Sequence, residues 1–192
     1  MKDLDKKLEQ IPNELKNYKQ WIVFKLSSRD ENGKWKNKTP LDPKQNTKLA
    51  LETEMKNGFA YSNKSWTWGS FEKAVEYLKK IITQNKNKDI AFALGFALGC
   101  DSCIGGIDGD HCLNEDGSFN DNAKSIIEKA DSYTERSVSG IGFHTLVFSK
   151  SDICNRSIVK PGEEGYEVYT PRFKTDDEKK QNLRKKSRNL KH

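Results

Sequence analysis

Two carboxylates one residue apart, Asp108 and Asp110, close the run Gly105-Gly106-Ile107-Asp108-Gly109-Asp110-His111. If the run is extended, alternation puts both on one face, about 7 Å apart along the backbone. Two such acids repel, so a cleft holding them needs either a shared proton or a divalent cation, and hard cations such as magnesium and manganese take oxygen ligands of this type. The plainer reading is an acidic turn after a strand. An EF-hand loop fits poorly, because Cys112 and Leu113 stand where that loop needs an oxygen ligand and a glycine.

Elements on both sides must position this pair. Leu4, Leu8, Ile11 and Leu15 recur at helical spacing and are interrupted by Pro12, which predicts a helix or a helix and a turn over residues 3–19. Trp21 to Leu26 reads as a buried strand. A polar turn around Gly33 leads to a second strand from Trp35 to Thr39, and Pro40 and Pro43 end this hairpin. Residues 44–64 read as a loop with a helical turn. Ser70 is a good N-cap for a helix carrying Phe71, Ala74, Val75, Leu78, Ile81 and Ile82 on one face. The apolar run Ile90 to Leu98 predicts a covered strand, with a turn at Cys100 to Cys103 before the acidic strand. A helix is expected over Asp121–Ala130 and strands over Phe143–Phe148 and Gly165–Tyr169, whereas Tyr133 to Ile141 reads as a polar approach without a strand of its own.

Composition bounds the class. The 192 residues suit one domain with appendages, and 32% charged against 34% hydrophobic leaves part of the chain as loop or tail. The net charge is +6, but residues 174–192 carry eight Lys or Arg against three Asp or Glu, so the remainder is nearly neutral. Basicity therefore describes a tail, read as a solvated helix or disorder. No leader or spanning segment of about eighteen apolar residues is found, and the expected compartment is the cytoplasm. Four cysteines are then thiols or ligands. Cys100 and Cys103 would make one zinc knuckle, with His111, Cys112 and Cys154 as further ligands. The adjacency of His111 and Cys112 cannot repeat the knuckle, so inert thiols are preferred to zinc.

Two further stretches give the acidic pair a context: Tyr133-Thr134-Glu135-Arg136-Ser137-Val138-Ser139-Gly140-Ile141-Gly142-Phe143-His144 and Tyr166-Glu167-Val168-Tyr169-Thr170-Pro171-Arg172-Phe173. With Asp108 and Asp110 they resemble the archaeo-eukaryotic primase superfamily, specifically the primase-polymerase domain at the N-terminus of phage and plasmid replication proteins. That family has an Asp-x-Asp strand, a small-x-His strand and a third acidic strand, in this order. The resemblance covers about residues 18–173 and takes in Lys38-Thr39-Pro40 and the Trp66 to Phe71 helix entry. After Phe173 the chain departs from the family pattern and becomes a charged run.

The resemblance implies an α+β fold, an RRM-like palm with a mainly antiparallel sheet and packed helices. A small N-terminal α/β portion (about 1–85) would precede the metal-site palm (about 86–173) and the basic tail (174–192). It implies that Asp108, Asp110 and Glu167 ligate two Mg²⁺ or Mn²⁺ ions and that His144 binds nucleotide phosphate. The implied activity is template-directed nucleotidyl transfer, as DNA primase, DNA polymerase or both, in replication of a mobile element. Nucleoside triphosphates and single-stranded DNA template would be its partners.

From the residues alone, Ser139 and Gly140 belong to a segment whose backbone N–H groups can approach an anion, or to a flexible turn. Arg172, and less strongly Lys38, are candidates for phosphate or template, or simply exposed cations. His144 is equally readable as a structural hydrogen-bonder, and Glu167 as an ordinary strand carboxylate. No Gly-x-x-x-x-Gly-Lys-Ser/Thr occurs, so a helicase partner would sit on a separate chain or region. The rivals are a truncated, non-catalytic nucleic-acid or replication-partner binding module and another two-metal enzyme such as a nuclease.

Overall fold

The computed structural model describes residues 2–31, 35–51, 58–61, 64–98, 103–148 and 165–169. Arg172, Cys100, Cys154 and the basic tail fall outside them. The N-terminal amphipathic segment forms α1 (Lys2–Glu9) and, after Pro12, the short α2 (Asn13–Lys16). The hairpin is β1 (Trp21–Arg29) and β2 (Trp35–Leu41). Strand β2 runs through Pro40, which faces Phe24, so the proline does not end it as expected. A ring nitrogen without a proton is tolerated at a sheet position that needs no donor.

Helices α3 (Thr47–Leu51) and α4 (Phe71–Gln84) follow, the latter capped by Ser70, whose side chain accepts from the Lys73 N–H. Strand β3 (Ile90–Phe96) then pairs antiparallel along β1, giving a sheet of order β2-β1-β3. On one face Val23, Leu41 and Leu94 pack against Tyr77, Leu78 and Ile81 of α4. Because β3 joins this sheet, the break between sheets comes after Phe96 rather than near residue 85.

The second sheet has the order β5-β6-β4-β7, built from β4 (Ile104–Asp110), β5 (Thr134–Arg136), β6 (Phe143–Phe148) and β7 (Gly165–Tyr169), with every described pairing antiparallel. Helix α5 (Asp121–Ala130), capped by the Asn120 side chain on the Ala123 N–H, lies against one face. Ala123, Ile126 and Ile127 meet Ile107, Phe143 and Tyr166 there. The fold is thus α+β with antiparallel sheets. Strand β5 is the element the sequence reading lacked: three polar residues carry no period, and pairing with β6 alone makes them a strand.

The opposite face of β4 is divided. Its first half is apolar, with Ile104 and Leu146 joining Leu8, Ile11, Leu15, Trp21 and Ala74 in a core that ties the two sheets together. Its second half carries Asp108 and Asp110. Among the described residues no helix is long and apolar enough to cross a membrane.

Candidate functional site

Register builds the site. Asp108 stands directly opposite His144 of β6 on one side and Glu167 of β7 on the other, and His144 stands opposite Glu135 of β5. Residues opposite each other in a ladder share a face, so Glu135, His144, Asp108 and Glu167 form one row across four strands. Asp110, two residues on, shares the face of Asp108. Three of the acids expected as ligands and the expected histidine are therefore neighbours on one surface.

The row is electrostatically tense. Asp108 Oδ1 is buried without a hydrogen-bond partner, and the nearest cationic atom is His144 Nε2 at 3.6 Å. Burial pushes the Asp108 carboxyl above the usual carboxylate range; His144 and Lys38 pull it down, while Asp110 and Glu167 push it up. Burial wins because no donor replaces the lost water. An orphaned carboxylate oxygen beside two further acids suits a hard cation, which would supply the missing charge. As the side chains stand, no group of three or more His, Cys, Asp or Glu among the described residues converges closely enough to enclose a metal.

His144 lies between two carboxylates. Its Nδ1 donates to Glu135 Oε1 at 3.5 Å, and its Nε2 faces Asp108. A neutral ring would point a lone pair at one of the acids, so the imidazolium is favoured. Accordingly its pKa is raised, first by the Glu135 contact and then by the two negative charges, against burial and Lys38. Glu135 is itself held by the Tyr133 hydroxyl at 3.0 Å. Likewise the Tyr169 hydroxyl donates to Glu167, and that phenol is made harder to ionise. Glu135, Tyr133 and Tyr169 were not singled out in the sequence; Tyr169 alternates with Glu167 on β7, whereas Glu135 meets His144 only through the β5–β6 register.

The Ser139–Gly142 turn is braced from within. Gly140, at φ +78°, donates its N–H to Ser137 O, and Gly142 donates to Ser137 Oγ. Two of the amides expected to face an anion are thus already used, which leaves those of Ser139 and Ile141 without a partner among the described residues. The turn seats on the end of β4: a Cβ on Gly142 would lie 2.0 Å from the Gly109 carbonyl oxygen. The Ile141 carbonyl also accepts the Cys112 N–H at 2.9 Å.

Lys38, on β2, lies within electrostatic reach of both Asp108 and His144. The first sheet thereby contributes a cation to a site built on the second. Cys103 and Cys112 flank β4, whose extended length is about 20 Å, and are too far apart to share one zinc ion. Cys112 is buried, its thiol turned to the Asp110 carbonyl.

No protein-family model matches the chain, and no curated protein matches its sequence.

Proposed function

We propose that the protein is a nucleotidyltransferase of the primase-polymerase kind, adding nucleotides along a single-stranded DNA template. The observation that supports this reading is the cross-sheet row in which Asp108 is flanked by His144 and Glu167, with Asp110 beside it on the same face. An antiparallel four-stranded sheet with a helix on one face and acids on the other is compatible with an RRM-like palm.

In this reading Asp108, Asp110 and Glu167 would hold Mg²⁺ or Mn²⁺. Held there, such cations would supply charge stabilisation for a 3′-hydroxyl attacking an α-phosphate and for the departing pyrophosphate. The chain's own groups bind and orient. His144, whose pKa Glu135 raises, would offer a cationic donor to phosphate oxygens when protonated. The amides of Ser139 and Ile141 are further donors at the end of β4. Lys38 offsets the negative charge of a triphosphate from the side of the first sheet. Nucleoside triphosphates and template are the partners of the reaction, with a helicase on a separate chain or region.

The test is primer extension and de novo priming on single-stranded template with magnesium or manganese, run beside Asp108→Ala and His144→Ala. Metal-dependent product that each substitution lowers by about 100-fold or more is expected. Absence of incorporation by the unaltered protein defeats the proposal, and shortening of a labelled oligonucleotide without added nucleotides turns the assignment to a nuclease.

A further inference from the structure

Trp66 is 70% exposed, the most exposed large hydrophobic side chain among the described residues. Tryptophan is a costly residue to leave in water, and its loop is not loose. A 3-10 turn, Ser65–Thr67, presents it. The Thr67 hydroxyl donates to Lys64 O at 2.7 Å and accepts the Tyr61 N–H at 3.0 Å, and the buried Trp68 indole donates to Tyr61 O at 2.7 Å. Lys44 donates to the carbonyls of Trp66 and Trp68. The indole of Trp66 is thus held out on a braced frame, with little conformational entropy left to lose on contact.

The neighbourhood is cationic. Tyr61, also exposed, has the Lys64 ammonium 4.0 Å from its ring centre. In the sequence, residues 35–66 carry six lysines, Lys36, Lys38, Lys44, Lys48, Lys56 and Lys64, against three acids, Asp42, Glu52 and Glu54, and Asp42 is buried. The loop is continuous with the sheet: Phe59 bridges to Leu41, and the Ala60 N–H reaches Pro40 O. Strand β2 therefore leads from the Trp66 loop back to Lys38, which lies within electrostatic reach of Asp108.

We infer that this strip binds single-stranded nucleic acid, with a base stacked on Trp66 and the backbone phosphates following the lysines of β2 toward the acidic row. An exposed rigid aromatic beside fixed positive charge suits that ligand, since every base offers a π-face and every phosphate a charge. A duplex keeps its bases stacked on one another and does not offer them to the indole. Only the identification of the bound strand as the template rests on the nucleotidyl-transfer reading; the binding itself needs neither nucleotide nor metal.

The experiment uses the full chain and a labelled oligothymidylate, followed by fluorescence anisotropy at about 0.2 M salt, where purely electrostatic binding by the basic tail is weakened. Trp66→Ala is expected to weaken binding roughly 5- to 100-fold and to remove oligonucleotide-induced quenching of tryptophan fluorescence, whereas Trp66→Phe retains most of the affinity. Duplex of the same length is expected to bind more weakly than the single strand. Unchanged melting temperature of Trp66→Ala verifies its fold. Affinity within twofold of the unaltered protein in Trp66→Ala overturns the inference. Trp66-dependent binding without nucleotide incorporation would keep it while the proposed activity fell.

Discussion

Replacing Asp108 by asparagine should stabilise the fold while removing function. Asp108 Oδ1 is buried without a partner, the side chain is only 28% exposed, and two further acids press on it. An unsatisfied buried polar atom costs about 1–3 kcal/mol, more when it is charged, and the asparagine amide removes the charge and the repulsion of Asp110 and Glu167 though not the polar atom itself. Partial exposure and the attraction of His144 argue for the lower half of that range. For a chain of this size about 1 kcal/mol moves the melting temperature by roughly 2–4 °C, so Asp108→Asn is expected to melt about 2–8 °C higher at pH 7. The sign with pH follows from the raised pKa. A carboxyl that holds its proton more tightly when folded favours the fold below its unfolded pKa of about 3.9 and loses that favour as pH rises through the folded value. The gain in Asp108→Asn should therefore be present at neutral pH and shrink toward pH 4. Cations should reverse the order: at ten times the dissociation constant, Mn²⁺ stabilises by about 1.4 kcal/mol, and only where the carboxylate is present to bind it. Calorimetry of both proteins across pH, with and without Mn²⁺, measures all of this. A metal-free Asp108→Asn that melts below the unaltered protein at pH 7 would refute the idea that this carboxylate is strained by its burial.

Two further outcomes are expected. Glu135→Gln should lower the pKa of His144, followed by NMR of the imidazole against His144→Ala for assignment; because the folded pKa is raised, the stability His144 adds is complete below the unfolded value of about 6.5 and is lost as pH rises through the folded one, and this loss should be smaller in the variant. An unmoved titration would show that Glu135 does not act on the ring. Gly142→Ala should cost more than Gly140→Ala in urea unfolding: the first drives a Cβ into the Gly109 carbonyl, while the second meets open space and loses only about 1–2 kcal/mol at its positive φ. Equal costs would contradict the seating of the turn on β4.

Much of the architecture was readable because single residues dictate it. Ser70 before an apolar helical stripe announced α4, and the alternation of Gly165 to Tyr169 announced β7. Asp108 and Asp110 share a face for the reason their spacing suggested. What a linear reading lacked was partners. Nothing in Thr134-Glu135-Arg136 signals a strand, so Glu135 could not be set beside His144 before the β5–β6 register was known. Nor does Ile90 to Phe96 declare which sheet it joins, since an apolar strand suits either. The glycines around residue 140 invited an anion, yet a serine within the same turn, Ser137, takes two of the amides.

The divided face of β4 governs how the molecule comes apart. Ile104, at the start of the strand, is packed with Trp21 and the N-terminal helices, while Asp108, four residues along the same backbone, belongs to the acidic row. Loss of the N-terminal packing would therefore uncover the apolar half of the same strand whose other half holds the acidic row. The core shared by the two sheets favours their unfolding together, and a fragment cut between them would expose Ile104 and Leu146 on the strands that carry Asp108 and His144.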